Sequence, residues 1–196
     1  MRCFKPVAIA VALMASATLA QAADFTFSGH IAYHNDVVQV GFTLVQDAVD
    51  VKVWTDGYLD GINFDPITAV WSMPTGTLID ENDDNPLIGP GQTKFDSGLV
   101  FPTLAAGNYL FTIATYNNAA AGTTLAQGFI YDGETPIAIA DWCQPASDNC
   151  TNQKGTFWQV HLTGVDVATS VPEPETFGLL GLGLALVGWR VRRRTA

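Results

Sequence analysis

The sequence predicts an all-β protein, a single β-sandwich or jelly-roll-like domain, with an apolar helical segment at each end of the chain. Three observations predict it. Between the ends, short runs alternate apolar and polar residues with period two, the pattern of strands with one buried face. Gly, Asn, Asp and Pro separate these runs, as turns between strands require. No stretch between the ends repeats its apolar residues at the helical period. Short strands with turn-rich connections point to a sandwich or jelly roll.

The elements follow in order. Phe25-Thr26-Phe27-Ser28 alternates, as do residues 38–44 and 49–53. Residues 67–73 form a nearly continuous apolar run, which suits a central strand. Gly107 is the turn that launches a core strand over 108–116, where Tyr109, Phe111 and Ile113 fall opposite Leu110, Thr112 and Ala114. Residues 129–131 and 156–165 supply two later strands, and the small, polar stretch 117–128 reads as an exposed hairpin loop.

The N-terminus reads as a secretory signal over residues 1–23. Arg2 and Lys5 precede an uncharged apolar run at 7–19, and Ala20-Gln21-Ala22 follows as a small-residue cleavage site. Export puts the start of the mature chain near Ala23 or Asp24. The sandwich then occupies residues 24–167, the length of one ordinary domain.

A second label closes the chain. Residues 168–175 form a linker carrying Pro172-Glu173-Pro174. Residues 176–196 hold a Gly- and Leu-rich apolar segment followed by Arg190, Arg192, Arg193 and Arg194. The apolar part is short against the roughly 17–25 residues of a membrane-spanning helix, and the arginines favour a cytoplasmic terminus. This three-part order resembles the PEP-CTERM sorting signal. The resemblance implies recognition near the Pro-Glu-Pro motif by an exosortase, a membrane-embedded cysteine protease. It also implies transient membrane insertion through the C-terminal helix and an exopolysaccharide-producing Gram-negative host, with exopolysaccharide as a partner. The protein would be membrane-anchored before processing, and on the cell surface or outside the cell after it.

The chain carries a formal charge of −10. Between residues 24 and 171, 17 acidic side chains face only Lys52, Lys94 and Lys154. Such a surface repels phosphate backbones and argues against nucleic-acid partners. Cys3 leaves with the signal peptide, so Cys143 and Cys150 remain as a pair in an oxidising destination, and a disulfide is expected.

A weaker resemblance covers residues 25–115. It runs through Trp54-Thr55-Asp56-Gly57-Tyr58, Phe64-Asp65-Pro66, the acidic stretch at 80–85 and Gly107-Asn108-Tyr109. The order is similar to exported F-D-P-motif proteins, whose core is similar to pre-peptidase C-terminal β-sandwich domains. That resemblance implies an accessory binding or stability module, some of which bind calcium.

The strongest local signal for chemistry is Asp80-Glu81-Asn82-Asp83-Asp84-Asn85. Asp80, Asn82 and Asp84 fall at alternating positions, as oxygen ligands do at the start of a Ca²⁺ loop. An EF-hand is excluded, because Asn85 and Gly91 occupy the positions of the required glycine and glutamate. Asp65 and Asp96 are further candidates for the shell. The other reading is a solvated turn, which Asn and Asp favour equally.

Trp54, Tyr58, Trp71, Trp142 and Trp158 invite a carbohydrate-binding reading. Trp54, Trp71 and Trp158 fall inside strand patterns and read as core, leaving Tyr58 and Trp142 as exposed ligand-contact candidates. His30, His34 and His161 suggest little metal chemistry. No G-x-S-x-G, H-E-x-x-H or P-loop motif occurs. The expectation is therefore a non-catalytic exported surface or matrix protein, with a carbohydrate-binding module and a secreted hydrolase as the rivals.

Overall fold

The computed structural model describes residues 23–145 and 150–171. The signal peptide up to residue 22, the Pro172-Glu173-Pro174 motif and the C-terminal apolar segment lie outside the described residues.

The described strands are β1 (Ala23–His30), β2 (Val37–Leu44), β3 (Ala48–Thr55), β4 (Pro66–Met73), β5 (Thr77–Asn82), β6 (Gly98–Leu104), β7 (Gly107–Thr115), β8 (Phe157–Val165) and β9 (Val167–Val171). They form two sheets, ordered β1-β8-β3-β6 and β5-β4-β7-β2-β9. Every pairing is antiparallel. The fold is the all-β sandwich that the alternation predicts.

β2 shows how the pattern becomes a core. Val38, Val40, Phe42 and Leu44 point inward and are buried, while the residues between them are half-exposed. Val40, Val70 and Phe111 of the five-stranded sheet meet Val51, Val53, Val160 and Leu162 of the other sheet in one core cluster. Close packing of this kind makes truncation of a residue such as Leu162 to alanine cost about 2–5 kcal/mol.

The apolar run at 67–73 has a different cause. β4 lies between β5 and β7, and both of its faces are covered. Val70 enters the inter-sheet core, whereas Ala69 and Trp71 pack with Leu110 and Phe129 in a second cluster. The Trp71 indole N–H donates to Thr112 Oγ1 at 3.0 Å, which satisfies the one polar atom that this burial removes from water. The stretch at 117–128 thus leads to Phe129, which seals Trp71 edge-on at 6.0 Å.

Three expectations need correction. Phe129 makes a single β-bridge to Ala120, and residues 129–131 are not a strand. β5 and β6 were not anticipated, because β5 contains the first half of the acidic run and Pro102 interrupts the apolar pattern of β6. Residues 168–171 are not linker: β9 pairs with β2 from Thr43↔Val167 to Gln39↔Val171. The sandwich therefore extends to the residue before Pro172.

Candidate metal centre

Strand pairing explains how distant acids meet. Asp65 is the residue before β4 and Asp83 the residue after β5. These strands pair antiparallel with Thr68 opposite Asn82, so the chain enters β4 and leaves β5 at the same end of the hairpin. Asp65, Asp83 and Asp84 each offer a carboxylate oxygen there, and the three oxygens lie within 4.8 Å of one another.

The backbone of Asp65 is fully engaged. Its N–H donates to Gln144 Oε1 at 3.2 Å, and its carbonyl accepts from the Tyr116 N–H at 2.8 Å. Its side chain is not. The residue is only 7 % exposed, and its Oδ1 is buried without a hydrogen-bond partner. Asp83 Oδ1 is likewise buried and unpartnered. Buried polar atoms are nearly always paired, and each orphan costs about 1–3 kcal/mol.

The electrostatics agree with the geometry. Burial, followed by the charges of Asp83, Asp84 and Asp96, pushes the Asp65 carboxyl up to about 8, against the opposing pull of Gln144. Burial and the charges of Asp84 and Glu81 raise Asp83 to about 6. Burial also raises Asp84, while Lys94 pulls it down. Two unit charges at this spacing repel by about 3 kcal/mol at an effective dielectric of 20. A proton or a cation relieves that repulsion, and a cation also supplies the missing partner for both orphaned oxygens.

The donor set fits a hard divalent ion. Ca²⁺ takes six to eight oxygens, with carboxylates binding through one or both. Three carboxylates would provide part of that shell, and the partial exposure of Asp83 and Asp84 would leave the remainder to water.

Of the other residues expected in the shell, Asp80 and Asp96 lie outside this carboxylate cluster. Asp96 is fully buried, and both of its oxygens are engaged. Oδ1 accepts from Thr55 Oγ1 and the Tyr58 N–H, each at 3.1 Å. Oδ2 accepts from the Thr93 N–H at 2.7 Å and Thr93 Oγ1 at 3.1 Å. It ties the end of β3 to the turn at 93–96 and adds its charge behind Asp65. Asn82 ends β5, and its carbonyl accepts from Ser97 Oγ at 2.8 Å. Asp80 is exposed in mid-strand, where its Oδ1 accepts from the Glu81 N–H. The alternation of 80, 82 and 84 reflects strand geometry up to residue 82, and the chain turns only at Asp83.

Tyr58 and Trp142, expected to present aromatic faces, are 5 % and 9 % exposed. Tyr58 packs on Phe95 at 5.3 Å and accepts from Gln153 Nε2 at 3.4 Å. Trp142 packs against His34 at 5.2 Å, and its carbonyl accepts from the Lys154 ammonium. Neither offers a flat surface to a sugar ring. His34 is buried with Nδ1 accepting from the Ile137 N–H at 3.1 Å, which leaves Nε2 to donate to Glu134 at 3.1 Å. Cys143 and Cys150 are disulfide-bonded.

One constellation escaped the sequence. His161 contacts Thr26 Oγ1 through Nδ1 at 3.0 Å and Asp56 Oδ2 through Nε2 at 2.9 Å. Only the β1–β8–β3 pairing unites these residues, and no local spacing announces them. The order hydroxyl, imidazole, carboxylate is that of a nucleophile relay. Thr26, however, lies directly opposite His161 on a strand face, as a cross-strand pair does. A recess of about 160 Å³ lined by Thr55, Tyr58, Phe64, Phe157 and Trp158 includes neither Thr26 nor His161.

Comparison with curated proteins gives no match. Residues 170–194 match the PEP-CTERM protein-sorting motif, so this chain carries an exosortase-processed sorting signal: it is exported, anchored by its C-terminus before processing, and on the cell surface or outside the cell afterwards.

Proposed function

We propose that the chain is a non-catalytic surface or extracellular-matrix protein whose sandwich is stabilised by Ca²⁺ bound at Asp65, Asp83 and Asp84. The observation that carries the cation reading is the buried, partnerless Oδ1 of Asp65 beside two further carboxylates. The non-catalytic reading is supported by the way the acids are used. Asp96 is engaged in hydrogen bonds, and the Asp65 cluster closes a hairpin end without lining the apolar recess. The reading includes exopolysaccharide as a partner and insertion of the C-terminal segment in the membrane until processing, and the sorting signal at 170–194 supports both. Contact with such a polymer falls to the polar surface, since Tyr58 and Trp142 are buried.

Thermal unfolding of the purified exported protein in excess EDTA and in millimolar Ca²⁺ tests this reading. A ligand at a hundred times its Kd adds about 2.7 kcal/mol, and a domain of this size gains roughly 2–4 °C per kcal/mol. A rise of that order, absent in Asp65→Asn, is expected. Identical curves with and without Ca²⁺ would sink the proposal.

A further inference from the structure

We infer that the Cys143–Cys150 disulfide and Gln144 set the cation affinity of the Asp65 centre, so that binding is coupled to oxidation of the cysteine pair. The inference rests on the cation reading above and adds to it a positioning residue and a redox dependence.

Both flanks of the disulfide loop hold the segment that ends in Asp65. On one side Gln144, next to Cys143 and 3 % exposed, accepts the Asp65 N–H through Oε1. On the other side, beyond Cys150, Gln153 N–H donates to the Gly61 carbonyl at 2.7 Å and Gly155 N–H to the Ile62 carbonyl at 2.8 Å. Phe64 N–H returns the contact, donating to the Gly155 carbonyl at 3.1 Å. The disulfide joins these two grips by a covalent link. Residues 61–65 are thus clamped from both sides, and the clamp ends on the backbone of the residue that offers the orphaned oxygen.

Opening the disulfide releases one side of the clamp. Cys143 and Gln144 are no longer tethered to Cys150, and Gln144 must be ordered again each time Asp65 is held for a cation. Loss of Gln144 therefore weakens the site by releasing the position of Asp65. Residues that orient metal ligands typically change affinity by about 10–100-fold when removed. Coupling is reciprocal, so bound Ca²⁺ must protect the disulfide by the same factor. In a reducing cytoplasm the clamp is open, and it closes after export, where disulfides persist.

The test uses the full exported protein in mild detergent, with Ca²⁺ as the probe and calorimetric titration as the readout. Four forms are compared: the oxidised chain, the chain reduced by dithiothreitol, Cys143→Ser/Cys150→Ser, and Gln144→Ala with the disulfide intact. In the reduction, Cys143 and Cys150 gain two electrons and two protons while the dithiol becomes a cyclic disulfide. The expected result is Ca²⁺ binding weakened about tenfold or more in the last three forms, with saturating Ca²⁺ shifting the dithiol equilibrium toward the protein disulfide. If the reduced forms unfold, Gln144→Ala decides alone. Equal affinity in the oxidised chain and in Gln144→Ala, or a dithiol equilibrium indifferent to Ca²⁺, overturns the inference and leaves the cation site standing. No Ca²⁺ binding by the oxidised chain overturns both.

Discussion

Asp65 leads into β4 and Asp83 follows β5, and the antiparallel pairing of those strands sets the two carboxylates side by side at one end of the hairpin, each with a buried oxygen that no donor reaches. The arrangement stores repulsion that the fold must offset elsewhere or relieve with a counter-charge.

The stored repulsion has a measurable sign. Without metal, Asp65→Asn removes a buried charge while keeping the side-chain shape and adding a donor toward Asp83. In EDTA at pH 8.5 this variant is expected to melt above the parent chain, with a gain of about 1 kcal/mol or more. In saturating Ca²⁺ the order reverses, because only the parent gains the ion. Melting curves of both proteins under both conditions check the crossing. A variant less stable than the parent in EDTA would contradict it.

Acid should stabilise the metal-free protein. An unfolded Asp titrates near 3.9, whereas folded Asp65 holds its proton to about 8 and Asp83 to about 6. In that window the native state binds more protons than the unfolded state, so stability is full below the unfolded value and falls as pH rises through the folded values. Melting temperature in EDTA is expected to drop from pH 5 to pH 8.5. Saturating Ca²⁺ flattens that slope, since the cation replaces the proton and expels it on binding. Parallel slopes with and without Ca²⁺ would contradict this account.

Asp96 and Asp80 separate structural from liganding roles. Asp96→Ala leaves four donors from Thr55, Tyr58 and Thr93 without their acceptor. It should cost at least about 3 kcal/mol whether or not Ca²⁺ is present. Asp80→Ala on the exposed strand should stay within about 0.5 kcal/mol and keep the Ca²⁺ response. Denaturant midpoints with and without Ca²⁺ measure both.

β9 belongs to the domain and also begins the sorting signal, since the motif match starts at residue 170 and the strand ends at Val171. Truncation after Asp166 uncovers the β2 edge, and exposed edges promote association. That protein is expected to melt lower and to aggregate, whereas truncation after Val171 keeps the stability of the parent. Light scattering during a thermal ramp distinguishes the two.

The sequence made some of this legible and hid the rest for physical reasons. β2 was readable because one buried face imposes a two-residue period on Val38, Val40, Phe42 and Leu44. β4 was readable as a central strand, although its outer cover of Phe129 came from a segment that looked exposed. Val167 to Val171 escaped because a short edge strand of small and polar residues lacks a pattern to distinguish it from linker. At the carboxylate cluster, Asp65 and Asp84 are legible in the sequence, whereas alternation points to Asp80 and passes over Asp83. Ligand spacing in a continuous loop differs from ligand convergence at the end of a hairpin, where register decides which acids meet. The Thr26, His161 and Asp56 contacts were invisible for the same reason.

The most direct measurement is equilibrium dialysis of the exported protein against labelled Ca²⁺ at pH 8.5, alongside Asp65→Asn and Asp80→Ala. The account predicts one ion per chain for the parent and for Asp80→Ala, and none for Asp65→Asn. No uptake by the parent, or uptake that survives Asp65→Asn unchanged, would contradict it.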